Sequence, residues 1–278
     1  MKFAFAQGDP GQASLTIFGA PYDLTSSFRP GSRFAPQRIR ESSWGFESYI
    51  PELGLDLRDH EIADVGDLAL SFDLKGALLE VESLSREIIS EGSVPFMLGG
   101  EHSMTVGNLR CLDDISLLVF DAHLDYRAEY LDRDGHGCAL RRIDEMGKAK
   151  NIVVLGARSY SRDEVEDLGE RIEFYPPHEA EMGLQRFLQK TEKIYISIDM
   201  DVLDPAYAPG VANPEPRGIT PSLIIELLDK AIDNCKIVGL DLVEISPPFD
   251  CNDITSLLGA WVAKEAIGRI LAKSRTNK

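Results

Sequence analysis

Basic residues are scarce in this chain. Its 278 residues carry 29 lysines and arginines against 46 aspartates and glutamates, a formal net charge of −17. That balance excludes the basic face that nucleic acid requires and opposes docking on anionic membrane surfaces. It favours a cationic ligand by long-range steering, although an acidic surface also serves solubility alone. Cysteine is sparse too. Cys111, Cys138, Cys235 and Cys251 lie far apart with no C-x-x-C pair, so neither a disulfide framework nor a thiolate zinc site is expected. No apolar run reaches the roughly 20 residues that span a bilayer. The opening MKFAFAQGDPGQ lacks the apolar core of a signal peptide. A cytoplasmic protein is the expectation.

What is present is alternation. Apolar, β-branched runs at 15–20, 94–98, 115–120, 151–156, 193–198 and 237–243 read as strands. Helical patterns fall between them, over 37–44 behind Pro36, near Ser103, and over 139–146, 180–190, 221–234 and 255–272. Asp73 is placed to cap a further helix whose Leu74, Ala77, Leu78, Val81, Leu84 and Ile88 share one face. Thr220 followed by Pro221 is a cap and first-turn pair, and the polar tail SRTNK is expected to fray. No repeat, low-complexity segment or linker interrupts the chain, so a single domain over 1–278 is expected. Alternating strands and helices imply a mostly parallel sheet covered on both faces, with ligands bound beyond the carboxyl ends of its strands.

Chemistry gathers at those ends. LLVFDAHLD, residues 117–125, runs an apolar strand into Asp121, His123 and Asp125, and IYISIDMD, residues 194–201, repeats the design with Asp199 and Asp201. Ionised carboxylates buried at strand ends cost several kcal/mol unless a cation meets them. The three residues 121, 123 and 125 alternate, so an extended chain would turn them one way. Alone they suit helix caps or loop bridges as well as a metal; two such ends side by side favour metal. GGEHS (99–103) adds His102 behind two glycines that allow close backbone approach, and GHG (135–137) sets His136 in a glycine-flanked loop. LDLVEISPPFD (240–250) ends in Glu244, suited to a cationic substrate or to an ordinary salt bridge. His60 and His178 have no such setting and read as surface residues.

GGEHS, DAHLD, GHG, SIDMDVLDPAYAPG and VEISPPFD, in this order, resemble the signature set of the ureohydrolases, the arginase and agmatinase family. FGAPYDLTSSFRPGSRFAPQRIR (18–40) resembles the family's opening motif, most of all in agmatinase-like members. The resemblance implies a three-layer α/β/α fold and two Mn²⁺ per subunit. One ion would be held by His102, Asp121, Asp125 and Asp199, the other by His123, Asp121, Asp199 and Asp201. Four carboxylates and two imidazoles form a hard donor set that suits Mn²⁺. A hydroxide generated at the metals would attack the guanidinium carbon, with Asp125 taking its proton, His136 shuttling protons to the leaving amine and Glu244 holding the guanidinium. Family members commonly form homo-trimers or hexamers.

Substrate choice falls to the loop YRAEYLDRDGHG (126–137). Glu129, Asp132 and Asp134 suit a free amine at the substrate's far end, whereas Arg127 and Arg133 would suit a carboxylate. Agmatine is the expected substrate, with aminopropylagmatine, guanidinobutyrate and arginine as alternatives, and Glu129 and Asp132 as candidate contacts. One segment departs from the family pattern. PGVANPEPRG (209–218) replaces a Thr-Gly-rich turn with Val211, Ala212 and Asn213, and a glycine with Arg217. Two other classes stay open: a metal-dependent deacetylase of the same fold, with one zinc and fewer carboxylates, and a catalytically silent binding protein.

Overall fold

Short apolar runs closed by glycine, proline or a carboxylate leave no room for a helix and pair edge to edge instead. The computed structural model describes residues 1–276. Strand β1 (Leu15–Ala20) leads through a loop to helix α1 (Ala35–Ser43), and a two-stranded antiparallel hairpin, β2 (Tyr49–Ile50) with β3 (Leu55–Asp56), precedes β4 (Ile62–Asp67). Then come α2 (Leu74–Ser90), β5 (Val94–Gly99), α3 (Met104–Leu109), β6 (Ile115–Phe120), α4 (Ala139–Glu145) and β7 (Ala149–Leu155). The chain continues through α5 (Arg162–Glu166), β8 (Ile172–Tyr175), α6 (Ala180–Leu188), β9 (Lys193–Asp199), α7 (Pro221–Asn234), β10 (Lys236–Val243) and α8 (Ile254–Thr276).

Among the described residues, eight strands form one sheet in the order β4-β1-β5-β10-β9-β6-β7-β8, every neighbouring pair parallel. Strand side chains alternate between two apolar layers. Leu118 and Phe120 of β6 join Phe187 of α6, Leu228 of α7 and Ile267 of α8. Leu117 and Val119 face the other way, toward Leu78 of α2, Val106 of α3 and Ile143 of α4. The result is the three-layer α/β/α sandwich that the alternation implies. No helix among the described residues is long and apolar enough to cross a membrane.

The expected caps are in place: Asp73 accepts from the Gly76 N–H at 2.8 Å and Thr220 from the Leu223 N–H at 3.2 Å. The differences lie at the sheet edges and the carboxyl end. Outer strands β4 and β8 were not expected, because IADVGD and IEFY are polar on their solvent side and too short to show a clear period. Helix α8 begins at Ile254 and continues to Thr276, so residues 274–276 of the expected frayed tail are helical, and 277–278 lie outside the described residues.

One buried ion pair ties an edge strand to the first helix. Arg40 of α1 is 2% exposed, and its Nε and Nη2 reach the two Asp64 carboxylate oxygens at 2.7 and 3.0 Å, while Nη1 meets Asp67. Asp64 also accepts the Phe3 N–H at 2.7 Å. Arg40→Ala strands the fully buried Asp64 charge, so unfolding in urea is expected to show a loss of about 3–5 kcal/mol.

Candidate active site

The four central strands β5, β10, β9 and β6 end side by side, and the polar residues follow immediately. Their convergence does not come from extended alternation. Asp121 lies just past β6, and its Oδ1 accepts the N–H of His123 at 2.6 Å. Asp199 accepts the N–H of Asp201 at 2.9 Å in the same way. Both strand ends therefore close in Asx-type turns, which fold the second ligand candidate back beside the first. Asp125 and Glu244 stand in the left-handed region, at φ 48° and 66°. Such conformations cost of order 1–3 kcal/mol each in non-glycine residues and concentrate at functional sites.

Two clusters result. Ligand atoms of His102, Asp121 and Asp199 lie within 4.8 Å of one another, as do those of Asp121, His123 and Asp201. His102 Nδ1 stands 3.1 Å from Asp121 Oδ2, 3.1 Å from Asp125 Oδ2 and 3.4 Å from Asp199 Oδ2. His123 Nδ1 stands 2.9 Å from Asp201 Oδ2 and 3.6 Å from Asp121 Oδ1. Asp121 thus belongs to both.

Hydrogen bonding behind His102 fixes what its ring presents. Ser197 Oγ donates to Asp241 Oδ1 at 2.6 Å, so at 3.0 Å it receives the proton of His102 Nε2. Nδ1 therefore faces three carboxylates, 3.1 Å from Asp121, 3.1 Å from Asp125 and 3.4 Å from Asp199. Positive charge is demanded there, as a proton on the ring or as a metal cation between the groups. The titration behaviour expresses the same demand. Burial alone would push His102 and His123 down, yet the surrounding aspartates raise both, His123 to about 12. Burial, joined by the charges of Asp201, Asp121 and Glu244, holds Asp199 well above the usual carboxylate range. The six residues accordingly fit a pair of hard divalent ions, with oxygen donors in the majority and no thiolate.

Glu244 accepts the His102 N–H on Oε1 at 2.8 Å, while its Oε2 is buried without a hydrogen-bond partner. That second oxygen suits a guanidinium. His136 Nδ1 lies 3.4 Å from Glu244 Oε1, and its Nε2 meets the Ser27 N–H at 3.2 Å and Ser27 Oγ at 3.1 Å. Burial would lower the His136 pKa, but Glu244 raises it to about 9. The Ser27 N–H works against the charged form, because a protonated Nε2 has no lone pair to accept it.

A cavity of about 440 Å³ borders His123, Asp125 and His136 and is walled by Arg127, Glu164 and Glu215. Neither Glu129 nor Asp132, expected as substrate contacts, lines it. Glu129 is exposed at a neighbouring depression of about 400 Å³, and the exposed Asp132 accepts the Asp134 N–H at 2.9 Å. The loop turns outward between Arg127 and His136 except at Tyr130, which lines the cavity, so Glu129, Asp132 and Asp134 are exposed. Glu164 and Glu215 take the inward positions. Glu164 sits on short helix α5, which has no periodic signal, whereas Glu215 lies in the departing 209–218 segment. Arg158 was also missed. Its guanidinium donates to the carbonyls of Asp201 and Glu215 at 2.9 and 2.7 Å, holding a candidate ligand loop and a cavity wall together.

Of the remaining histidines, His178 is exposed and His60 is half-buried. The glycines of GGEHS serve the chain itself: a Cβ at Gly100 would lie 2.0 Å from the Tyr22 carbonyl oxygen. What approaches so closely is the loop after β1, not a ligand. Arg217, where the family pattern has glycine, is exposed at φ 65°.

A parallel α/β sheet with two carboxylate–imidazole clusters at its central strand ends, beside an acid-walled cavity, defines a metal-dependent hydrolase. The sequence model of the arginase family matches residues 13–268. An agmatinase of Pyrococcus horikoshii is 37% identical over 246 residues, covering 86% of this chain and 86% of that protein. An N(1)-aminopropylagmatine ureohydrolase of Thermococcus kodakarensis is 33% identical, covering 96% of this chain and 94% of that protein. The crystal structure of an agmatine ureohydrolase of Thermoplasma volcanium superposes with a TM-score of 0.92 at 36% identity, covering 100% of this chain and 96% of the other. The chain belongs to the arginase family, metal-dependent ureohydrolases acting on guanidino compounds.

Three outcomes follow from this geometry. His136 is raised in the fold from 6.5 to about 9, so its charge stabilises the metal-free protein fully below pH about 6.5, and that contribution fades as pH rises through about 9. Glu244→Gln removes the raising charge, and an NMR titration of His136 should show its pKa falling by more than one unit, by roughly the 1–3 units an adjacent opposite charge supplies. Arg217→Gly relieves a left-handed non-glycine residue worth roughly 1–2 kcal/mol, offset by glycine's backbone entropy. Urea denaturation should show equal or greater stability, and a loss would contradict the strain.

Proposed function

We propose that this protein is a binuclear manganese agmatinase that hydrolyses agmatine to putrescine and urea. The observation that carries the reading is Asp121, shared by two ligand clusters, with Asp199 hydrogen-bonded to the backbone of the second. His102, Asp121, Asp125 and Asp199 would hold one Mn²⁺, and His123, Asp121, Asp199 and Asp201 the other. When bound, such ions lower the pKa of water and supply a hydroxide nucleophile near neutral pH. The chain's own residues do the rest. Glu244 holds the substrate guanidinium through its free Oε2 in a charge-assisted bond. Asp125, in the cavity wall and 3.1 Å from His102, takes the proton of the nucleophile. His136, charged beside Glu244, gives a proton to the leaving amine.

The far end of the cavity supports an amine. Arg127 is engaged, with its Nε 3.6 Å from Glu164 and its guanidinium carbon 4.1 Å from the centre of the Tyr130 ring. Its charge is partly matched, and Glu215, whose Oε1 accepts the Ser159 hydroxyl at 2.8 Å, offers its other oxygen to a substrate ammonium. Guanidinobutyrate would instead need Arg127 released from Glu164. Aminopropylagmatine has a specific observation of its own: the neighbouring depression shares Arg127 and Glu164 with the cavity and carries Glu129, Asp163 and Asp167. A longer polycation would extend there, which keeps Glu129 as a contact for that substrate; Asp132 has no such place. Four unbridged cysteines support a reducing, cytoplasmic setting.

Urea release from Mn²⁺-loaded protein, measured side by side with agmatine, aminopropylagmatine, guanidinobutyrate and arginine, should be fastest with agmatine. A preference for guanidinobutyrate would overturn the amine reading. Metal analysis should give two equivalents per chain; one equivalent would favour the deacetylase class, and no urea from any compound a silent protein. Asp121→Asn should lose both metal and turnover. Glu244→Gln should cost roughly 1.5–3 kcal/mol in kcat/KM, about 10–100-fold, the scale of a hydrogen bond to a charged group.

A further inference from the structure

Glu101 of GGEHS is a fully buried carboxylate that forms no ion pair within 4 Å among the described residues, and it does not line the cavity. Its ligands are neutral donors. Oε2 accepts the Thr25 N–H at 2.8 Å, and Oε1 accepts the hydroxyls of Thr25 and Ser103, each at 2.5 Å. Thr25 spends its only hydroxyl proton on Glu101, so its oxygen lone pair is free to accept the N–H of His136, at 3.0 Å. Two residues along the same loop, Ser27 meets the His136 ring at Nε2. The join is close-packed, since a Cβ at Gly135 would stand 3.1 Å from Thr25. Backbone bonds brace it from below, Gly100 N–H to the Ala20 carbonyl at 2.9 Å and Glu101 N–H to the Tyr22 carbonyl at 2.8 Å.

We infer that Glu101, acting through Thr25, is a positioning residue that sets both the backbone and the ring of His136 for proton delivery to the leaving amine. The inference rests on the role proposed for His136. One loop carries both restraints on that residue, the Thr25 hydroxyl on its main chain and Ser27 on its ring. That loop hangs on the Glu101 carboxylate. Glutamine cannot replace it. Its carbonyl can accept the two hydroxyls, but its NH₂ then faces the Thr25 N–H, donor against donor. A histidine held only by Glu244 is free to tilt, and a misplacement of about 1 Å costs on the order of 10²-fold in rate.

The test uses Mn²⁺-loaded protein with agmatine. Glu101→Gln and Thr25→Val are each expected to lower kcat by about 10²-fold, with KM and bound metal unchanged, and in the metal-free protein, where no paramagnetic ion broadens them, to displace the His136 ring resonances at fixed pH. Thr25→Ser, which keeps the hydroxyl, should restore the kcat lost in Thr25→Val. Unchanged kcat, a loss that tracks metal content or KM, or unmoved His136 resonances would overturn the inference. Thr25→Val alone decides the matter if Glu101→Gln does not fold. Were the wild type to release no urea from any guanidino compound, the functional reading would fall by itself. The His136 resonances of Thr25→Val would still decide positioning, displacement supporting it and constancy refuting it.

Discussion

Mutual repulsion among buried carboxylates is the constraint on which the rest of this structure depends. Asp121, Asp125, Asp199 and Asp201 meet at the ends of two adjacent strands, with Glu244 close by, and His102, His123 and His136 offset them in part. In the low-dielectric interior several such charges cannot stay ionised together without a cation. The raised His102, His123 and Asp199 are the protein's own partial answer, taking up protons where positive charge is wanted. The Asp241–Ser197–His102 relay turns Nδ1 toward the carboxylates, where a metal cation can take the place of the proton. Outer-shell partners of this kind fix ligand tautomer and orientation as firmly as the ligands fix the ion.

Around this centre the chain divides its labour by element. Strands supply depth and rigidity, their alternate residues buried in two apolar layers. Tight Asx turns at Asp121 and Asp199, left-handed residues at Asp125 and Glu244, and the close backbone approach at Gly100 aim the side chains. Loops supply the substrate side, where Arg127 pairs with Glu164 and the 209–218 segment brings in Glu215. This separation lets cavity residues change without touching the metal donors, which is where the chain departs from its family pattern. Arg158, bonded to the carbonyls of both loops, holds the two parts in register.

Much of this was legible before any coordinates. The six inner strands of the sheet, the caps at Asp73 and Thr220, and all six candidate metal donors stand out as residue types at the ends of apolar runs. Glu244 and His136 did as well, though their pairing did not. The edges β4 and β8 were not legible, because half-solvated strands of four to six residues carry mixed polarity. Glu129 and Asp132 were placed at the substrate by charge alone, and the loop carries them outward. Glu164 closes a capping box with Ser161, a local signature of a helix start that says nothing of the cavity it walls. Arg158 and Glu101 were missed because the loops they hold are distant in sequence.

By itself, the sequence determined which residue types stand at the carboxyl end of each strand, and therefore the chemistry on offer. Apolar periodicity and turn residues are local properties, and the end of a strand can be read where the run stops. The tertiary structure alone decided that β5, β10, β9 and β6 are neighbours, so that His102, Glu244, Asp199 and Asp121 share one space. It also decided which acids of the flanking loops face the cavity. Strand order and loop direction follow from packing between residues 43 to 144 positions apart, and no local pattern encodes them.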